Sequence, residues 1–127
     1  METSMNDTKN PSGFVFLDQH KLDNISAGNS KTKSDILKVF VSCIPQMLVS
    51  IESSVDEGNP IALAHHLHKL KSSVAWMSVD KLISFMQKVE DAVWKVASPE
   101  FRDDIYVLVS AARMLADEAG DALAALH

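Results

Sequence analysis

Apolar residues recur at intervals of three and four along most of the chain, and this spacing marks one face of an α-helix. We predict a long helix from Ser30 to about Glu57, whose apolar face comprises Leu37, Phe40, Ile44, Leu48, Ile51 and Val55. Similar stripes predict a helix from Pro60 to about Met77, a fourth helix carrying Leu82, Met86, Val89, Val93 and Val96, and a last helix carrying Ile105, Leu108, Ala112, Leu115, Ala119, Leu123 and Leu126.

Short capping and breaking signals separate these helices. Pro45 lies inside the long helix and has no amide hydrogen to donate, so we expect a kink there, with a complete break as the alternative. The other signals are an N-cap at Asp18 with a stop before Gly28, a Gly58-Asn59-Pro60 turn, a cap at Ser78 for the fourth helix, and Ser98-Pro99 before the last helix.

Long helices joined by short turns favour antiparallel neighbours. The predicted fold is therefore all-α: an up-down-up-down antiparallel four-helix bundle with a short additional N-terminal helix, formed by residues 14–127. Residues 1–13 are polar and contain Gly and Pro, and we predict that they form a disordered tail.

Composition excludes several classes of function. The chain has 127 residues and a net charge of −5 without a basic block, so nucleic acid is not an expected partner. Its single cysteine, Cys43, excludes an internal disulfide and fits a reducing compartment. There is no secretory signal, and the most apolar stretch is interrupted by Lys38, Pro45 and Gln46, so we expect a cytoplasmic protein with no membrane span and favour a monomer.

Three of the five histidines lie in one helix, in the segment HHLHKLKSS that begins at His65. On a wheel of 100° per residue centred on the apolar face, His68 falls at roughly 140° and His65 at about 200°, both away from the core. His66 falls nearer the core edge, at about 300°. The apolar face itself comprises Leu63, Leu67, Leu70, Val74 and Met77.

The surroundings of His68 are small and apolar instead of charged, which is unusual for a solvated helix face. A contiguous exposed apolar patch is a candidate docking surface, although the first helix or the tail could instead cover it. The residues that we assign to this surface are Ile61, Ala64, His65, Ser72, Ala75 and Trp76. Lys71, three residues after His68, lies on the adjoining side of the helix. Its charge is expected to reach toward a phosphoryl group carried by the histidine, and its side chain is not expected to pack in the core.

An accessible neutral imidazole can act as a nucleophile and hold a phosphoryl group covalently. The chain has no Walker loop, no glycine-rich nucleotide loop and no carboxylate cluster for Mg²⁺. Any activated phosphate and its metal ion must therefore come from elsewhere.

The segment HKLKSSVAWMSVDKL, from His68 to Leu82, resembles the signature of histidine-containing phosphotransfer (HPt) domains. His68 takes the phosphorylated position, Leu70 the core leucine and Lys71 the lysine that stabilises phosphate charge. In two positions the signature has glycine where this chain has Ser72 and Ser78. Ser72 is still small, and Ser78 could replace glycine as an N-cap.

This resemblance implies a phosphorelay intermediate that carries a phosphoryl group between the aspartates of response-regulator receiver domains. It implies a hybrid sensor histidine kinase as a further partner, no cofactor on this chain, no autonomous kinase activity and Mg²⁺ on the receiver. Family members occur alone or as a module of a larger kinase.

Two other functions remain open at this point. A degenerate bundle of the same kind could bind a receiver or kinase without transferring phosphate. His65 and His68, three residues apart, could also bind a metal ion, but such sites normally need three or four ligands, and their helix offers no carboxylate or cysteine nearby.

Overall fold

The computed structural model describes residues 13–95 and 102–127. In this part of the chain the helices are α1 (Gln19–Ser26), α2 (Ser30–Asp56), α3 (Pro60–Val74), α4 (Asp80–Lys95) and α5 (Arg102–Ala125). The predicted tail, apart from Gly13, and the predicted Ser98-Pro99 start signal lie outside the described residues.

The four long helices form a closed ring of neighbours. α2 packs against α3 and α5, α4 packs against the same two helices, and α1 packs against α2. The described residues contain no β-strand beyond one isolated bridge between Leu17 and Ser78. The predicted all-α, four-helix bundle with an additional N-terminal helix is confirmed.

The core is formed by the apolar stripes that the sequence pattern identified. All six stripe residues of α2 are buried, as are Leu63, Leu67, Leu70 and Val74 of α3. Each such side chain contributes about 1.5–3 kcal/mol by leaving water, so the stripes account for the helix arrangement. α2 continues across Pro45, so the alternative of a complete break is wrong, while the kink stays a prediction.

The predicted capping signals at two turns are confirmed. Asp18 accepts a hydrogen bond from the amide of Lys21 at the start of α1. Asn59 accepts one from the amide of Ala62, immediately before Pro60. Gly58 has φ of +66°, a left-handed conformation that glycine adopts without the steric cost of a side chain. The two N-caps fix where α1 and α3 begin.

The connection between α3 and α4 differs from its prediction. α3 ends at Val74 instead of Met77, and α4 begins at Asp80 without a cap from Ser78. The N-terminal segment, which precedes α1, forms two backbone hydrogen bonds with this connection. Met77 O accepts one from Asp18 N at 2.7 Å, and Phe16 O accepts one from Val79 N at 2.9 Å. Because Ser78 lies fully buried in the resulting bridge, its hydroxyl contacts the carbonyl of Val79 instead of capping a helix.

Glu118 of α5 anchors this N-terminal segment to the bundle. Its carboxylate accepts hydrogen bonds from three successive backbone amides, those of Val15, Phe16 and Leu17, at 2.6, 2.8 and 3.0 Å. Glu118 is only 9% exposed. Three charge-assisted bonds compensate for the burial of one carboxylate, and they also satisfy three backbone amides.

α2 is long and apolar enough to cross a membrane by length and composition alone. The core helix of a soluble bundle has the same character, and the apolar face of α2 packs against α3 and α5.

Candidate functional site

His68 lies near the middle of α3 with 61% of its side chain exposed. Buried Leu67 and Leu70 on either side of it fix the rotation of the helix, so the imidazole points away from the core. The outward orientation predicted from the helical wheel is confirmed.

A buried glutamate from the next helix contacts this exposed imidazole. Glu90 of α4 is 7% exposed, and its Oε2 lies 3.1 Å from His68 Nδ1. A carboxylate oxygen only accepts hydrogen bonds, so Nδ1 is the nitrogen that carries the hydrogen in this pair. The other ring nitrogen, Nε2, is then left with a lone pair when the ring is neutral.

The second oxygen of Glu90 faces Lys71. Lys71 Nζ lies 3.1 Å from Oε1, which is an ion-pair distance. The hydrogen bond of the ammonium, however, is directed to the side-chain oxygen of Gln87, one turn earlier on α4. Among the described residues, Oε1 has no hydrogen bond of its own, although it is fully buried. Buried polar atoms without a hydrogen bond are uncommon in folded proteins, and here the ammonium at ion-pair distance compensates for the charge.

Lys71 therefore packs, contrary to the sequence expectation. Only 16% of its side chain is exposed, because the aliphatic part lies in the seam between α3 and α4 and the ammonium pairs with Glu90. Lys71 and His68 thus contact opposite oxygens of one carboxylate. Their charges are coupled through Glu90.

The predicted docking residues divide into exposed and buried groups. Ile61 and Trp76 are 71% and 62% exposed, His65 and Ser72 are also exposed, and Ala75 is half-buried. Ala64 is fully buried, so its placement on this surface is wrong. α3 packs against both α2 and α4, and this gives it a wider buried face than a single apolar stripe indicates.

An apolar groove of about 600 Å³ lies beside this surface, between α2 and the end of α3. Trp76 and Val39, both more than 60% exposed, belong to its wall. The remaining lining residues are Ile25, Asp35, Ile36, Phe40, Cys43, Ile44, Met47, Ser73 and Met77. Trp76 thus belongs both to the predicted docking surface and to the groove, whereas His68 contacts the charged cluster on the α4 side.

Sequence reasoning missed Glu90, although the sequence does carry a signal for it. Glu90 follows Met86 by four residues and precedes Val93 by three, which places a carboxylate inside the apolar stripe of α4. Charged residues are almost never buried without a partner, so an acidic residue in a core stripe predicts a buried pair. Which residues complete the pair depends on how α3 and α4 pack.

The other histidines of the segment lack such partners. The rings of His65 and His66 contact each other edge to face at a centroid distance of 6.0 Å. His66 is half-buried, as its position on the wheel indicated. Within the described ranges, no group of three His, Cys, Asp or Glu side chains is placed to hold a metal ion.

A family model described as the Hpt domain matches residues 35–126. This match covers most of the chain and includes all residues of the His68 cluster. The chain belongs to the Hpt domain family.

Two solved structures share the fold. The HPt domain of a sensor hybrid histidine kinase from Shewanella superposes with a TM-score of 0.73 at 14% identity, covering 85% of this chain and 93% of that one. Histidine-containing phosphotransfer protein B from Pseudomonas aeruginosa gives 0.64 at 19% identity, covering 80% and 91%. No curated protein matches the sequence.

Proposed function

We propose that this protein is a phosphorelay intermediate, which accepts a phosphoryl group on His68 from the phosphoaspartate of one receiver domain and passes it to the aspartate of another. Membership of the Hpt domain family supports a phosphotransfer role in two-component signalling. The observation that carries the residue assignment is the pairing of an exposed imidazole, through Nδ1, with the buried carboxylate of Glu90.

The nucleophile that this chain supplies for the transfer is the lone pair of His68 Nε2. That nitrogen attacks the phosphorus of the acyl phosphate and forms an N–P bond, while the P–O bond breaks and the aspartate carboxylate leaves with its electron pair. The hydrogen on Nδ1 stays where it is, so the phosphorylated ring acquires positive charge. Glu90 stabilises that charge and fixes the reactive tautomer, as a carboxylate does for the histidine of a hydrolytic triad. In the reverse direction the same charged ring is a good leaving group.

Lys71 has two electrostatic tasks in this proposal. Its ammonium compensates for the charge of Glu90 while the ring is neutral. Once the ring becomes positive, Glu90 is paired through its other oxygen and Lys71 can turn toward the phosphoryl oxygens. Positive groups placed where charge develops are a major source of rate acceleration.

The groove and the exposed face of α3 provide a docking surface for the receiver. A standard interface buries about 800 Å² on each partner, which corresponds to a patch with a radius of about 16 Å. Val74, the last residue of α3, follows His68 by six residues, or about 9 Å along the helix axis, and Trp76 comes two residues after it. A receiver that brings its aspartyl phosphate to His68 therefore covers the groove as well, together with Ile61, His65, Ser72 and Ala75.

The remaining components are expected on the partners. Mg²⁺ would be held by the receiver domain, and the phosphoryl group would originate from a hybrid sensor histidine kinase. We expect this chain to bind no cofactor itself, to have no autonomous kinase activity and to act as a cytoplasmic monomer without nucleic acid or membrane contact.

Two phosphoryl donors test the proposal and separate chemistry from docking. One is a panel of receiver domains charged with acetyl phosphate, and the other is phosphoramidate, which releases ammonia as its P–N bond breaks. Acid-labile phosphate on the protein measures transfer from each. We expect His68→Ala to abolish transfer from both donors, and His65→Ala, the matched exposed histidine, to retain transfer from phosphoramidate.

Trp76→Ala serves as the docking variant. It should weaken transfer from receivers by raising the half-saturating receiver concentration, and it should leave transfer from phosphoramidate unchanged. Transfer that persists in His68→Ala would contradict the assignment of the nucleophile. Receiver binding without transfer from either donor would instead identify a degenerate bundle.

A further inference from the structure

The His68 cluster extends one step further than its two charged partners, to a pair of residues on the outer side of α4. Gln87 receives the hydrogen bond of the Lys71 ammonium on its Oε1. Its Nε2 donates to Asp91 Oδ1 at 2.8 Å, one helical turn further on. Asp91, Gln87, Lys71, Glu90 and His68 thus form one continuous chain of polar contacts.

Both ends of the Gln87 amide define the same orientation. The carboxylate of Asp91 can only accept a hydrogen bond, so it requires the NH₂ group on its side. The ammonium of Lys71 can only donate, so it requires the carbonyl oxygen on its own side. A turned amide would place NH₂ against the ammonium and oxygen against the carboxylate. Asp91 therefore holds the Gln87 oxygen toward Lys71.

The Lys71 ammonium contacts acceptors on two residues of α4. Its Nζ lies 3.1 Å from the buried Oε1 of Glu90, an ion-pair distance, and it donates a hydrogen bond to the side-chain oxygen of Gln87. The ammonium has three hydrogens, so the two contacts do not exclude each other. Gln87 thus contributes to fixing the position of the ammonium beside Glu90.

We propose that Gln87, oriented by Asp91, is a positioning residue for phosphotransfer that holds the Lys71 ammonium ready to move from Glu90 to the phosphoryl group on His68. This inference rests on the proposed function. It adds that the lysine depends on a partner outside the His68–Glu90 pair. Gln87 itself touches neither the imidazole nor the phosphoryl group, and acts only through Lys71.

The test compares Gln87→Met with Lys71→Ala and with the double variant. Methionine keeps the length of the side chain but removes the acceptor. With phosphoramidate as donor, and with one charged receiver that reacts with the unmodified protein, we expect Gln87→Met to lower the maximal transfer rate about fivefold, the loss of one ordinary hydrogen bond. The half-saturating receiver concentration should not change. Asp91→Ala should shift the rate in the same direction by a smaller factor.

The double variant distinguishes positioning from a general structural effect. If Gln87 acts through Lys71, adding Gln87→Met to Lys71→Ala should slow transfer no further. Arg113→Met is the control for losing a polar side-chain contact elsewhere in the bundle. It removes the contact between Arg113 of α5 and Glu52 of α2, and it should leave the transfer rate unchanged. Thermal melts followed by circular dichroism establish that every variant is folded at the assay temperature.

Three results would overturn this inference. They are an unchanged rate in Gln87→Met, a fivefold further loss on top of Lys71→Ala, and a rise in half-saturating receiver concentration at constant maximal rate. Each can occur while the unmodified protein still phosphorylates His68, so the inference can fail alone. Absence of phosphohistidine in the unmodified protein would instead overturn the proposed function.

Discussion

Two glutamates are buried among the described residues of this bundle, and they differ in the groups that surround their carboxylates. Glu118 is 9% exposed and receives three backbone amide hydrogen bonds. Glu90 is 7% exposed and faces two titratable side chains, His68 and Lys71, with one oxygen lacking a hydrogen bond. The first carboxylate is saturated by groups that cannot move or change charge, whereas the second is shared between groups that can do both.

The comparison shows that burial of a charge does not by itself identify a functional residue. A carboxylate held by backbone amides joins two parts of the fold and has no capacity left for chemistry. A carboxylate held by an exposed imidazole can instead respond to a change on that ring. We therefore expect substitutions of Glu118 to affect folding and substitutions of Glu90 to affect transfer.

The largest expected effect is that of Glu90→Ala on transfer. The variant removes both the group that fixes the tautomer of His68 and the charge that stabilises the phosphorylated ring. We expect the rate of transfer from phosphoramidate to fall on the order of 100-fold, the magnitude typical of removing one preorganised group that stabilises developing charge. Acid-labile phosphate measured over time gives this rate. A loss of less than about threefold in the folded variant would contradict the role of Glu90.

Glu118→Gln should produce the opposite pattern. The amide keeps one acceptor oxygen but presents an NH₂ group to backbone amides, so at least one hydrogen bond to a charged group is lost. We expect the free energy of unfolding to decrease by about 2 kcal/mol, measured by urea denaturation. Transfer by the folded variant should equal that of the unmodified protein. Slow transfer at unchanged stability would remove the distinction between the two glutamates.

Lys71→Ala should reduce both stability and transfer, because Lys71 is the cation that accompanies a buried carboxylate. Leaving Glu90 without it should lower the free energy of unfolding by about 1–3 kcal/mol. In a Glu90→Gln background the same substitution should cost less, since no buried charge remains to be compensated. Urea denaturation of the unmodified protein, the two single variants and the double variant measures this coupling. If Lys71→Ala lowers the free energy of unfolding equally in both backgrounds, the ion pair contributes nothing to stability.

Glu90→Gln should slow transfer less than Glu90→Ala does. Glutamine can still accept the hydrogen bond from His68 Nδ1, so the tautomer is kept while the charge is lost. The difference between a charged and a neutral acceptor is about 1–1.5 kcal/mol, which corresponds to roughly a tenfold slower transfer. A rate as low as that of Glu90→Ala would show that charge, not orientation, is the main contribution of Glu90.

Helical periodicity predicted the bundle because each helix buries one continuous apolar stripe, and it also predicted the outward direction of His68. It failed where contacts between distant segments decide the local structure. Ser78 has the sequence context of an N-cap, but the N-terminal segment forms hydrogen bonds with the backbone on both sides of it. Ala64 was expected on the exposed docking surface and Lys71 was expected to reach phosphate instead of packing. The packing of α3 between α2 and α4 buries Ala64 and leaves only 16% of the Lys71 side chain exposed.

Glu90 and Gln87 show the corresponding limit for the site. Both residues lie about twenty positions after His68 in sequence, and neither was assigned to the site from the sequence. Their relation to His68 follows only from the register between α3 and α4, which a single helical pattern does not determine. The acidic residue within the α4 stripe was the one local signal available.

The central claim is that Glu90 holds His68 in the tautomer that leaves Nε2 free to attack phosphorus. Nitrogen-15 NMR of the labelled imidazole measures this directly, because a protonated and an unprotonated ring nitrogen have well-separated chemical shifts. We predict that neutral His68 carries its hydrogen on Nδ1, and that this preference is lost in Glu90→Ala. A hydrogen on Nε2 in the unmodified protein would contradict this role of Glu90.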